Sequence, residues 1–93
     1  MKKFEITILA VPGMNAEEKI QRMFYNLPHT LQTQAIETLP YAITDKRGVV
    51  REKAERYYIS DVMLDEAAVH LLHYIFAHKT WCLRYLIIQT DTR

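Results

Sequence analysis

The 93-residue chain is predicted to form one α+β domain of the ferredoxin-like type, spanning residues 1–93. Three observations support this fold class. Segments at the start, in the second half and at the end of the chain alternate apolar and polar residues or are dense in β-branched and aromatic residues, which is typical of strands. Two segments between them carry apolar residues at helical spacing. The order strand, helix, strand, strand, helix, strand then predicts a two-layer βαββαβ sandwich, with an antiparallel sheet and helices on one face.

The first strand is predicted over residues 3–11, which become apolar on both faces toward their end, as an interior strand does. Pro12 and Gly13 end it. Asn15 followed three residues later by Glu18 is typical of a capping box, so a helix is expected to begin there. The apolar positions of this helix fall on one stripe: Ala16, Ile20, Met23, Phe24 and Leu27.

Residues 30–38 are ambiguous. Leu31, Ala35 and Leu39 repeat at helical spacing, whereas the threonines of the segment weaken a helical interpretation. We favour an extra short helix there, following the first, and leave the strand alternative open. Pro40 is expected to end the segment.

A hairpin is predicted next, from a short strand over residues 41–44, through a polar turn in which Gly48 can adopt positive φ, to a strand that returns from Val49. Residues 50–60 give conflicting signals, because helix formers precede Tyr57 and Tyr58, which prefer strands. We interpret them as one long strand that is exposed in its first half. Helix and strand both remain open for residues 49–56.

The last third of the chain has the clearest pattern. A helix from about Leu64 presents one wide apolar face, and a strand follows over residues 81–90. The first and last strands are expected to be adjacent in the centre of the sheet. The predicted helix face contains Leu64, Ala67, Ala68, Leu71, Leu72, Ile75 and Phe76.

The open face of the predicted sheet is the first candidate site. If Tyr85 and Ile87 face the helices, then Arg84, Leu86 and Ile88 face outward with Cys82; the opposite register exposes the other set, and both leave an apolar strip. Tyr57 or Tyr58 is expected to add a ring there. Such a patch is typical of an interface, although a helix or loop of the chain can also cover it. We therefore predict a small interaction or regulatory protein, a homodimer with a further protein partner, and favour a non-enzymatic role.

A basic hairpin is the second candidate, and it points to RNA or DNA binding. Its cations are Lys46, Arg47, Arg51, Lys53 and Arg56. RNA-recognition motifs share the predicted topology, but residues 46–50 match only the opening of their RNP1 pattern, and the aromatic positions after Gly48 are Val49, Arg51 and Lys53 instead. The solvated hairpin is therefore the preferred interpretation of these charges.

A metal site or an active site is the weakest hypothesis. Glu66, His70 and His73 follow i, i+4, i+7 spacing on one side of the second helix, and a carboxylate with imidazoles suits zinc, but the spacing matches no standard zinc module. Cys82 in an apolar strand is more typical of a small buried side chain than of a nucleophile. We expect no cofactor and no metal.

Composition narrows the remaining function classes. Twelve Lys and Arg against eleven Asp and Glu give a formal net charge of +1, so no overall field attracts nucleic acid or anionic lipid. The two glycines form no phosphate-binding loop, and the single cysteine excludes an internal disulfide. No signal peptide is recognised, and the apolar stretches are too short to span a bilayer, so we expect a cytoplasmic protein without a membrane partner.

Overall fold

The computed structural model describes residues 1–25, 30–36 and 42–90. The predictions made for Leu27 and for Leu39, Pro40 and Tyr41 lie outside these ranges. Eight elements follow one another along the chain: β1 (Lys2–Ala10), α1 (Ala16–Met23), β2 (Thr30–Ile36), β3 (Ile43–Thr44), β4 (Val50–Arg51), β5 (Ala54–Leu64), α2 (Glu66–His78) and β6 (Cys82–Gln89).

Four of the strands form one antiparallel sheet in the order β2, β5, β1, β6. The predicted pairing of the first and last strands is confirmed, because Ile6 of β1 lies opposite Ile87 of β6. The last strand is not central, however. β5 takes the other side of β1 and pairs Ile59 with Ile6, which leaves β6 at one edge of the sheet.

The short helix favoured for residues 30–38 is wrong, because residues 30–36 form β2. β2 runs antiparallel to β5 over its whole length, from Thr30 opposite Ser60 to Ile36 opposite Ala54. The backbone of β5 can pair on both edges, and β1 satisfies one of them. Pairing with the second edge gives residues 30–36 a full ladder of hydrogen bonds, which outweighs a weak preference for helix.

The predicted hairpin is present, but it stands apart from the main sheet. β3 and β4 form a separate two-stranded sheet, in which Thr44 lies opposite Val50, and Gly48 in the turn has φ 85°. The long strand expected from residue 50 is therefore divided into β4 and β5. Within β5 a bulge places Asp61 at φ 60° and keeps Ile59 and Val62 both buried.

The helices cover one face of the sheet and form the core with it. Asn15 precedes α1 in the left-handed conformation and its side chain caps nothing, so the predicted capping box is wrong. Asp65 does cap α2, since its carboxylate accepts the Ala68 N–H at 2.8 Å. The buried face of α2 is narrower than predicted, because Ala67 and Leu71 are exposed. The core includes Ile6, Ile8, Ile20, Phe24, Ile59, Val62, Leu72 and Phe76. No helix in the described ranges is long and apolar enough to span a bilayer.

Candidate functional site

The open face of the sheet is built from alternate residues of β1, β5 and β6. Because Ile6 and Ile8 point into the core, Thr7 and Leu9 point to the opposite face. The strand pairings then define three adjacent rows across this face. From one end to the other they are Arg56, Leu9 and Arg84; Tyr58, Thr7 and Leu86; and Glu5 with Ile88.

The structure selects one of the two registers considered for the last strand. Tyr85 and Ile87 pack against the core on the helical side, whereas Leu86 and Ile88 are 55% and 48% exposed on the open face. Cys82 does not join them. A register shift between Leu9 and Ala10 turns Cys82 into the core, where it is fully buried.

Of the two tyrosines expected as an interface ring, Tyr57 does not lie on the open face, so the prediction is wrong for Tyr57. Its side chain is only 3% exposed on the helical side, where its hydroxyl donates to Glu55 at 2.9 Å. Burial, reinforced by this carboxylate, raises the pKa of Tyr57 to about 12. Its neighbour Tyr58 is the open-face ring. A hydrogen bond to the Glu5 carboxylate, with some burial, raises the pKa of Tyr58 and holds the ring beside the first strand.

The β3–β4 hairpin is organised by Asp45, which is buried. Its Oδ1 accepts the N–H groups of Arg47 at 2.8 Å and Val49 at 2.9 Å, and its Oδ2 accepts Nε of Arg51 at 3.2 Å. The bond from Val49 is the main reason why the pKa of Asp45 is lowered, with Arg47 and Arg51 adding to it and burial opposing it. One carboxylate therefore fixes the turn and one of its arginines.

Four hydrogen bonds attach the hairpin to the rest of the domain. The Lys46 ammonium donates to the carbonyls of Phe76 and Lys79 at the C-terminal end of α2, and the Lys46 N–H donates to Leu83 O at 3.0 Å. On the open side, Arg84 Nε donates to the carbonyl of Thr44. The hairpin is thus held between the end of α2 and the start of β6.

The predicted basic rim divides into two groups. Lys46 and Arg51 hold the hairpin in place, because the Lys46 ammonium donates to two backbone carbonyls and Nε of Arg51 donates to Asp45. Arg47, Lys53 and Arg56 are exposed. Arg84 joins this rim because it lies in the same row as Arg56. The sequence analysis had assigned the two arginines to different surfaces. Strand alternation allowed for this placement, but the pairing of β1 with both β5 and β6 was needed to show it.

The histidines and the cysteine form no reactive centre in the described residues. No three His, Cys, Asp or Glu side chains converge there to hold a metal ion, so Glu66, His70 and His73 are not brought together as ligands. His73 contacts the Tyr85 hydroxyl at 3.2 Å instead. Burial raises the pKa of Cys82 to about 11, against the opposing charge of Lys46, which keeps the thiol protonated and weakly nucleophilic.

Comparison with known proteins supports the fold class. No family model matches the chain, and no curated protein matches its sequence. Among solved structures, 30S ribosomal protein S6 from Thermotoga maritima matches with a TM-score of 0.64, over 96% of this chain and 87% of that one. The two sequences are 10% identical, so the likeness shows the fold alone. It confirms the predicted ferredoxin-like α+β sandwich.

Proposed function

We propose that the protein binds RNA at the end of the open sheet face where the hairpin meets β6. One observation carries the proposal. Arg56 and Arg84 flank Leu9 in a single row, and Tyr58 lies in the next row. Two guanidinium groups beside an aromatic ring, on a sheet face that no described helix covers, are the chemical groups that contact phosphates and unpaired bases.

The two arginines would hold the RNA backbone. They lie two strands apart, at a separation of about 10 Å across the sheet. A guanidinium group can donate two parallel hydrogen bonds to a phosphate, which gives orientation as well as attraction. Because Arg84 donates Nε to Thr44 O, its side chain is held at the edge of the sheet and retains its other N–H donors for a ligand.

The ring of Tyr58 supplies the stacking surface. Its hydroxyl is hydrogen-bonded to Glu5 of β1, and this bond restrains the position of the ring on the open face. Leu86 lies in the same row and is more than half exposed, so a base that stacks on Tyr58 also meets an apolar neighbour. This arrangement favours unpaired bases, since a base within a duplex has no free face to offer.

The fold comparison adds support of a general kind, because one solved structure with a similar fold is a 30S ribosomal protein. Because the formal net charge is only +1, we expect RNA affinity to come from a few local phosphate contacts. With two or three phosphate contacts rather than an overall basic field, the logarithm of affinity should fall with the logarithm of salt concentration by about 0.7 per contact.

The test is fluorescence anisotropy with a labelled single-stranded RNA of mixed sequence, measured at several salt concentrations. Arg56→Gln and Arg84→Gln should each weaken binding about tenfold and reduce the salt dependence by about one contact. Tyr58→Leu should weaken binding by a similar factor and leave the salt dependence unchanged, because stacking is not ionic. Arg22→Gln removes the same charge from the helical side and should have no effect. Binding that is absent or insensitive to salt would refute the proposal.

A second candidate is the homodimer with protein contacts expected from the sequence. It is favoured by the exposure of Leu86 and Ile88 on β6, an edge strand whose residues 85–89 carry no charge. We expect a salt-stable dimer in light-scattering chromatography, and a folded monomer after Leu86→Ser with Ile88→Ser. An unchanged mass for the double variant, or a monomeric parent protein, would rule out self-association through β6.

A further inference from the structure

A groove of about 690 Å³ lies between α1 and α2, on the helical side of the domain. Its apolar lining is formed by Met14 and Met23 from the α1 region, Ile75 from α2, and Trp81 just before β6. Trp81 is almost fully buried and packs edge-on against Phe76, so the floor is part of the core. The two methionines are flexible enough to adapt this lining to an incoming apolar side chain.

The α2 side of the groove continues into an exposed apolar stripe. Leu71 is 58% exposed and Tyr74 is 64% exposed. At 100° per residue Leu71 lies about 40° and Tyr74 about 100° from Ile75 around the helix, in the same direction as His78 and Ala67. From Ala67 to His78 the stripe runs about 16 Å along the helix axis, or three turns. A stripe of this length and spacing is the surface on which another helix packs.

The charged residues of the groove are of one sign. Among the described residues that line it, Lys19, Arg22 and Lys79 are cationic and none is acidic. Lys19 Nζ also donates to Met14 O, which holds its ammonium at the rim, and Arg22 forms an exposed ion pair with Glu18 at 2.7 Å. The rim therefore keeps excess positive charge beside an apolar floor.

We propose that this groove binds an amphipathic helix with acidic flanks, supplied by a partner protein. The apolar side of that helix covers Leu71, Tyr74 and the methionines, and its carboxylates face Lys19 and Lys79. Complementary charge sets the orientation and selects the partner, while apolar burial supplies most of the affinity. A second copy of the chain fits less well, because a symmetric contact through this groove brings the same cations together.

Trp81 provides the measurement, because it is the only tryptophan of the protein and it lies in the groove. The probe is an end-blocked synthetic peptide of about four helical turns without Trp or Tyr, with Leu at i, i+3, i+4 and i+7 and Glu on both flanks. The control peptide carries Lys in place of Glu. We expect the Trp81 emission to change saturably with the acidic peptide, and binding of the control peptide to be at least about tenfold weaker.

Variants of the protein complete the test. The double variant Lys19→Gln with Lys79→Gln should bind the acidic peptide about five- to tenfold more weakly. Arg47→Gln with Lys53→Gln removes the same charge from the hairpin and should change nothing. Circular dichroism establishes that both double variants are folded. Equal affinity for the two peptides, an equal loss in both double variants, or no saturable change up to about 1 mM peptide, the weak limit of specific recognition, would overturn the proposal.

Discussion

Lys46 gives the sharpest test of how the hairpin is attached. Its ammonium donates to the carbonyls of Phe76 and Lys79, where the α2 helix ends and its carbonyls have no partner within the helix. Lys46→Met keeps most of the length and the apolar stem of the side chain but removes these hydrogen bonds and the charge. The substitution therefore isolates the contribution of the ammonium from that of packing.

The loss of stability expected for Lys46→Met follows from two contributions. A cation at a helix C-terminus stabilises by about 0.3–1 kcal/mol, and hydrogen bonds to a charged group contribute about 1.5–3 kcal/mol where water cannot replace them. Lys46 is exposed overall, so water compensates for much of the second contribution. A net loss of about 1 kcal/mol remains, which corresponds to a decrease in Tm of about 4–8 °C for a domain of this size.

Thermal unfolding followed by far-ultraviolet circular dichroism measures this effect. Lys53→Met is the matched control, because Lys53 is exposed and its loss removes the same charge from the end of the same hairpin. We expect the control to leave Tm within about 1 °C of the parent protein. If Lys46→Met and Lys53→Met have equal Tm values, the ammonium of Lys46 does not stabilise the end of α2, and the reasoning is refuted.

Three further predictions concern single side chains. The pKa of Cys82 is about 11 against an ordinary 9.0, so the stability contributed by the protonated thiol is complete below pH 9 and is lost as pH rises through 11. In denaturant titrations, Cys82→Ala should therefore lose less stability than the parent protein between pH 9 and 11. An equal loss in both proteins would contradict this. Asp45 has a lowered pKa, so its contribution is present above pH 3.8 and is lost as pH falls through the folded value. Asp45→Asn should flatten that acid limb and speed amide exchange at Val49, whereas protected exchange would count against the turn assignment. Asp61→Gly should raise stability by up to about 1 kcal/mol by relieving positive φ, and a decrease in Tm would refute that expectation.

The elements with a long, regular pattern were predictable from the sequence. β1, α2 and β6 lie within a few residues of their expected bounds, because each buries a continuous apolar face at its own period. The depth of that burial was less predictable. Leu71 is apolar and was expected on the buried face of α2, yet it is 58% exposed.

β2 was missed because its structure depends on a distant partner. Within residues 30–36 the spacing of Leu31 and Ala35 suits a helix, and Thr30 and Thr33 suit a strand, so local preference is nearly balanced. Seven consecutive residue pairs with the free edge of β5 stabilise the strand rather than the helix. A pairing partner 18 to 30 residues away leaves no mark in the local pattern.

The candidate site was predictable in its residue types but not in their roles. Arg84, Leu86 and Ile88 were expected to face outward together in one of two registers, and the structure selects that register. Neither Tyr57 nor Tyr58 could be preferred, because one residue of register exchanges the faces of every side chain in a strand. Lys46 was predicted as one cation of a basic nucleic-acid-binding hairpin, and in the structure its ammonium caps the C-terminal end of α2.

The hairpin is bonded to a residue at each of the two proposed surfaces. Through Arg84 and Thr44 it touches the row of the open face that is proposed to hold RNA, and through Lys46 it touches Lys79 at the rim of the groove proposed for an acidic helix. The surfaces themselves lie on opposite sides of the sheet, so an RNA and a partner helix do not compete for space.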